Sequence, residues 1–200
     1  MSSDLLIAST NPGKIIEYRA LFENAPLRLL SLSDVGLGDV DVEEPFETFI
    51  ENARHKALSY ARMAKRLTLA DDSGLCVDAL DGRPGVFSAR YAPTAPERIQ
   101  KLLGELQGIP DERRTARFVC VIAVADPHTG TVEIAEGTVE GRIAHQPGQG
   151  TTGFGYDPIF IPEGYSVPMS DVSPETKNAI DHRGQAARAI LPYLLSRMGT

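Results

Sequence analysis

Apolar positions change their spacing from one segment of the chain to the next, and each change marks an element. Asp4 to Ala8, apolar from Leu5 on, reads as a short buried strand, and Ser9-Thr10-Asn11-Pro12 turns it into a helix reaching about Phe22. Arg28 to Ser31 reads as a second strand. The acidic stretch Asp34 to Glu44 has little hydrophobic period and reads as loop. Phe49, Ala53, Ala57, Tyr60, Ala61 and Ala64 then recur at helical spacing. They follow Thr48 and Glu51, the two ends of a capping box, so a helix is predicted to about Lys65. Leu67 to Ala70 reads as a strand that ends in Asp71-Asp72-Ser73-Gly74. A second Thr-x-x-Glu box, Thr94 to Glu97, opens a helix through about Leu106. Two β-rich runs, 116–125 and 131–145, flank Asp126-Pro-His-Thr-Gly130 and predict a long antiparallel hairpin. Ser173-Pro174 starts another helix, with proline at the first helical position. The last helix is amphipathic and carries Ala187, Ile190, Leu191 and Leu194. The pattern is α/β with an antiparallel component, and it shows no internal repeat or long linker.

Composition narrows this picture. At 200 residues, with 42% hydrophobic and 24% charged positions, the chain suits a single domain, residues 1–200, with a substantial core. The short apolar run near the start has no basic segment before it, and no stretch is long enough to span a bilayer, so a soluble, cytoplasmic protein without membrane association is expected. A net charge of −7 argues against a nucleic-acid partner. It leaves room for an anionic small substrate, because a few local cations and a bound metal reverse the field inside a cleft. Cys76 and Cys120 lie in apolar contexts and are expected as buried, reduced thiols. His55, His128 and His145 have no zinc-ligand spacing and are expected at the surface.

Three clusters carry candidate chemistry. Ser9, Thr10, Asn11, Pro12, Gly13 and Lys14 stand between a strand and a helix N-terminus, where free amides and one cation suit phosphate. The same residues also make an ordinary polar turn capped by Asn11, and they are not a P-loop, since Ile15 follows Lys14. Asp71 and Asp72 are adjacent carboxylates that need a countercharge. A divalent cation such as Mg²⁺ would supply it, with Glu43 and Glu44 of the acidic loop able to complete the site; a solvated turn is the alternative. Finally, Phe154 among Gly153 and Gly155 can stack a flat ring, while Lys177, His182 and Arg183 can donate to a 6-oxo oxygen. Core packing for Phe154 and a helix-start salt bridge for His182-Arg183 are the plain alternatives.

Taken together, the ordered motifs Ser9-Thr-Asn-x-x-Lys14, Glu44, Thr48-Phe-Ile-Glu-Asn-Ala53, Lys56-Ala57, Ala70-Asp-Asp-Ser-Gly-Leu75, Pro84-Gly85, Ser88-Ala-Arg-Tyr91, Gly153-Phe-Gly-Tyr-Asp-Pro158, Lys177 and His182-Arg-Gly184 resemble the inosine/xanthosine triphosphate pyrophosphatase family. The resemblance runs from Leu5 to about Leu195. It implies an elongated α/β fold with a central mixed sheet, two lobes around a cleft, and a homodimer. It implies hydrolysis of deaminated purine nucleoside triphosphates to monophosphate and pyrophosphate. By the same resemblance, residues 9–14 bind phosphates, Glu44 and Asp72 hold Mg²⁺, and Asp72 is also the general base. Ser73 contacts substrate, and Phe154, Gly155, Tyr156, Asp157, Lys177, His182 and Arg183 form the base pocket. The chain departs from the family at its opening, where Ser9-Thr10 stands in place of the frequent Thr-Gly pair, and at a second position. Asp181 stands where serine is common, and a carboxylate there can pair with Lys177 or Arg183 and weaken their hold on a 6-oxo group.

Overall fold

The computed structural model describes residues 4–197. Six strands, β1 (Asp4–Ile7), β2 (Arg28–Ser31), β3 (Thr68–Val77), β4 (Thr115–Ala125), β5 (Val132–Ile143) and β6 (Phe160–Pro162), form one sheet in the order β2-β1-β3-β4-β5-β6. β1 runs parallel to β2 and β3, whereas β5 and β6 are antiparallel, so the sheet is mixed. The helices are α1 (Pro12–Leu21), α2 (Phe49–Ala64), α3 (Ala95–Glu105), α4 (Pro174–Ile180) and α5 (His182–Ser196). This is the α/β class that the periodicity predicts. The chain divides into two compact units. The first comprises residues up to Asp72, Cys120–Gly137 and Arg183 onward; the second comprises Ser73–Val119 and Thr138–His182.

The first unit is built on strand alternation. Leu5 and Ile7 of β1 and Cys120, Ile122 and Val124 of β4 take every second position and join one cluster. Tyr18 and Phe22 cover it from the α1 segment, and Ala186, Ala187, Ile190 and Leu194 from α5. Asn11 starts α1 by accepting the Gly13 amide at 2.9 Å, with Pro12 in the first turn. Thr48 likewise accepts the Glu51 amide at 3.2 Å to start α2. The capping box predicted there forms only in part, because the Glu51 carboxylate takes the Thr48 hydroxyl at 2.6 Å.

In the second unit the box at Thr94 is complete. The Thr94 amide donates to Glu97 Oε2 at 2.9 Å and the Glu97 amide to Thr94 Oγ1 at 3.4 Å. Leu75, Val77, Leu102, Leu106, Phe118, Ile143, Ile159 and Phe160 belong to the core of this unit. The Phe118 and Phe160 rings meet edge-on with centroids 4.6 Å apart. Strand β6 escaped the sequence reading, since three residues are too few to show a period.

The main correction concerns β3. The sequence suggests a strand from Leu67 to Ala70 that ends in Asp71-Asp72-Ser73-Gly74, with a solvated turn there as the alternative, yet the strand continues to Val77 with Asp71 and Asp72 buried inside it. Gly74 is a close-packing glycine. A Cβ there would stand 2.3 Å from the Gly85 carbonyl oxygen and 2.6 Å from Ser88 Oγ. Smaller corrections follow. Cys120 is buried as expected but Cys76 is only half-buried, and both are free thiols. His128 and His145 are exposed, whereas His55 is half-buried with its ring edge-on to Phe46 at 5.5 Å.

Candidate active site

Adjacent strand residues point to opposite faces, and the two aspartates of β3 accordingly meet different partners. Asp71 receives the Lys14 ammonium at 2.8 Å and the Arg183 guanidinium at 3.4 Å through the same oxygen. Arg183 also pairs with Glu17 of α1. Burial pushes the Asp71 carboxyl upward, but Lys14, Arg183 and Lys56 outweigh it and hold the pKa far below the usual carboxylate range. Asp71 is thus a fixed charge. It balances two cations and has almost no basicity to offer.

Asp72 accepts the Asn52 side-chain amide at 3.0 Å. Its pKa is raised to about 6, first by burial and then by the charge of Glu44, while Lys56 and Asn52 pull the other way. A carboxylate with this acidity can take a proton near neutral pH and release it again. Glu44 pairs with Lys56 of α2. Burial depresses the Lys56 pKa, but Asp71, Glu44 and Asp72 together raise it above its ordinary value, so the ammonium stays charged. The acidic loop is fastened to α2 by Asn52, whose amide both accepts from the Phe46 N–H at 3.0 Å and donates to the Phe46 carbonyl at 3.1 Å.

The motifs that contain Lys56 and Asn52 do not by themselves assign these residues a role, although the residues carry a signal of one. Both are polar residues within a helix that also buries Ala53, Ala57 and Tyr60. Glu17, in α1, left no such mark.

The residues at the start of α1 are partly open to solvent. Ser9 and Gly13 are half-buried and Thr10, Asn11 and Pro12 are exposed. Ser9 Oγ accepts the Asn11 amide at 3.2 Å. Lys14, expected on phosphate, is held by Asp71. Among the described residues no group of three or more His, Cys, Asp or Glu gathers at metal-holding spacing. Of the two carboxylates expected on a metal, Asp72 is buried and feels the charge of Glu44. Two carboxylates suit Mg²⁺, which keeps several waters and takes its remaining oxygens from phosphates.

The second unit holds a separate constellation. Asp157 Oδ2 accepts the Phe154 amide at 2.7 Å and lies 3.6 Å from the Lys177 ammonium. Lys177 also lies 3.5 Å from Asp181 Oδ2 and 5.4 Å from the centroid of the Phe154 ring. Gly153 permits this arrangement: its φ is +82°, and a Cβ there would meet Asp157 Oδ2 at 2.0 Å. His182 stacks on Phe118 with centroids 4.8 Å apart and planes within 10°. Gly155 has a φ of +66°, and Ser73 on β3 is half-buried. Tyr156, expected in a base pocket, is buried in the core with its hydroxyl donating to the Ser88 carbonyl at 3.1 Å. Packing uses its whole side chain, so only its backbone is left for a ligand. The guanidinium of Arg183, expected on a base, is likewise committed to Asp71 and Glu17 within the first unit.

Comparison with known proteins places these features in a family. The chain is 45% identical to a dITP/XTP pyrophosphatase from Oceanobacillus iheyensis, covering 95% of this chain and 97% of the relative. Its identity to a dITP/XTP pyrophosphatase from Bacillus subtilis is 43%, covering 96% of each. Among solved structures, a HAM1 protein from Coxiella burnetii matches with a TM-score of 0.87 and 39% identity, covering 98% of this chain and 100% of that one. A dITP/XTP pyrophosphatase from Mycobacterium abscessus matches with a TM-score of 0.73 and 42% identity, covering 94% and 99%. The family model for the Ham1 family matches residues 5–193, and by that match this chain belongs to the Ham1 family.

Proposed function

We propose that this protein hydrolyses deaminated purine nucleoside triphosphates, of the dITP and XTP class, to the monophosphate and pyrophosphate. The proposal extends to Mg²⁺ as the metal, to a homodimer, and to the cytoplasm as the compartment. No helix among the described residues is long and apolar enough to cross a membrane. The observation that carries the reading is identity above 40%, over nearly the whole chain, to relatives bearing that activity in their names.

The products require cleavage of the anhydride between the α- and β-phosphates, and the proposed step is attack of water on the α-phosphorus with pyrophosphate leaving. Asp72 is the group proposed to take the proton of that water, since burial and the charge of Glu44 make its carboxylate more basic than an ordinary aspartate before any metal binds. Asn52 orients the Asp72 carboxylate, and Lys56 holds Glu44 ready beside it. Mg²⁺ bound by Glu44 and Asp72 would offset charge developing on the bridging oxygen and the leaving group. The amides and hydroxyls of residues 9–13 would hold phosphate oxygens, with Lys14 adding a positive charge that it shares with Asp71. Phe154 would stack the base and Lys177 would donate to its 6-oxo oxygen, with His182 as a further donor. Adenine offers no acceptor at that position, so a site that depends on this bond discriminates against it.

A panel of purine triphosphates assayed for pyrophosphate release, with Mg²⁺ and with chelator, tests the reading. Rapid turnover of ITP or XTP with slow turnover of ATP is expected, and only with the metal. Release of inorganic phosphate in place of pyrophosphate, or equal rates for ATP and ITP, would reject it.

A further inference from the structure

The pairing of β3 with β1 reaches only to Leu69, and the later part of β3 also finds partners in the segment that follows it. The Val77 N–H donates to the Arg83 carbonyl at 3.2 Å, and the Leu75 N–H donates to Ser88 Oγ at 2.9 Å. Buried main-chain donors are nearly always paired, and here a side chain does what a neighbouring strand would otherwise do. The Ser88 hydroxyl gives its own proton to the Gly85 carbonyl at 2.6 Å. Its one donor is thereby committed, which fixes its rotation and leaves a lone pair for Leu75. The Tyr156 hydroxyl donates to the Ser88 carbonyl at 3.1 Å and steadies the main chain from which that hydroxyl projects. Both Ser88 and Tyr156 are buried. Gly74 admits the contact, because a Cβ there would stand 2.6 Å from Ser88 Oγ. All of these residues belong to the second unit.

We infer that Ser88 is a positioning residue for the reaction: steadied by Tyr156, it holds the Leu75 amide and so fixes the place of Ser73 on β3 for contact with the nucleoside triphosphate. The inference rests on the proposed reading that Ser73 touches the substrate. Ser73 stands two residues before Leu75 on the same strand, with only Gly74 between them. Glycine has the widest backbone freedom of any residue, so this stretch needs an outside hold to keep one geometry. Ser88 supplies that hold, and with its proton on Gly85 it has none to give a substrate. It acts through Ser73, whose part is contact and not proton transfer. Loss of the hold should therefore raise KM for the triphosphate and change kcat little.

The test is steady-state kinetics with ITP and saturating Mg²⁺ on wild type, Ser88→Ala, Tyr156→Phe, Ser73→Ala and the double variant Ser73→Ala/Tyr156→Phe, with Tm measured for each. Tyr156→Phe keeps the ring in the core and removes only the hydroxyl. It should raise KM by about three- to tenfold, the range expected of one neutral hydrogen bond, with kcat within about twofold. Ser88→Ala should act in the same direction and more strongly. In the Ser73→Ala background, Tyr156→Phe should raise KM by less than about twofold, because the contact it steadies is already gone. An effect on KM of equal size in both backgrounds overturns the inference, since Tyr156 would then reach the substrate by another route. A lower Tm or kcat at unchanged KM also overturns it, by making Ser88 and Tyr156 purely structural. If Ser88→Ala does not fold, the two Tyr156→Phe comparisons decide alone. Ser73→Ala separates the levels. If it leaves KM unchanged, the assignment of Ser73 to the substrate fails and the inference falls with it. If it raises KM while Tyr156→Phe does not, only the inference about Ser88 fails.

Discussion

The two units handle buried charge differently. In the first, Asp71, Asp72, Glu44 and Glu17 share three cations, Lys14, Lys56 and Arg183, and the imbalance concentrates on a single atom group. Asp71 takes two of the cations and is locked as an anion. Asp72 keeps an amide and a like-charged neighbour, and its acidity falls into the range useful for proton transfer. In the second unit one ammonium is divided between two carboxylates at nearly equal distances, 3.6 and 3.5 Å. There the ammonium is shared, and neither carboxylate holds it alone. Uneven compensation leaves one carboxylate with a raised pKa, whereas even compensation shares one cation between two carboxylates.

The largest expected effect comes from breaking the uneven partner. Asp72→Asn should lower kcat for ITP by about 10²–10⁴-fold, with substrate still bound, as read by single-turnover and binding measurements. Turnover within a few-fold of wild type would remove Asp72 as the base. Next, Arg183→Leu should destabilise the fold by about 3–5 kcal/mol in urea unfolding, because it strands the buried Asp71 charge. A loss below about 1 kcal/mol would mean that Lys14 alone compensates Asp71.

In the second unit, Lys177→Ala should cut the ITP:ATP ratio of kcat/KM by roughly 10–100-fold while altering phosphate affinity little. An unchanged ratio would exclude Lys177 as a base reader. The smallest effect is on stability. Asp72 has a folded pKa of about 6 against an ordinary value of 3.8, so its contribution is fully present below the lower value and lost as pH rises through the higher. Without divalent metal, Asp72→Asn should therefore gain on wild type between these values, by on the order of 1–3 kcal/mol, and hold the gain at higher pH. Parallel stability curves for the two proteins would show that Asp72 is not strained in the ionised form.

The same contrast explains what could be read from sequence. Short-range signals were legible: Asn11 before Pro12, Thr94 with Glu97, and the hairpin around Asp126 all depend on residues a few positions apart. Asp71-Asp72-Ser73-Gly74 misled for the opposite reason. Locally it has the composition of a turn, and the groups that make it a buried strand come from afar, Arg183 lying 112 positions from Asp71. The candidate clusters were found, but their internal division of labour was not. Nothing near Tyr156 in sequence announces that its hydroxyl will be used by Ser88, and nothing near Lys14 announces Asp71.

One carboxamide has a mechanical consequence. Asn52 grips the Phe46 main chain by both its N–H and its carbonyl and, with the same nitrogen, touches Asp72. The loop that carries Glu44 is therefore geared to the acidity of Asp72. Swinging the loop outward would tear a two-point clasp, withdraw the neighbouring negative charge and disturb the amide that steadies the carboxylate, all in one stroke.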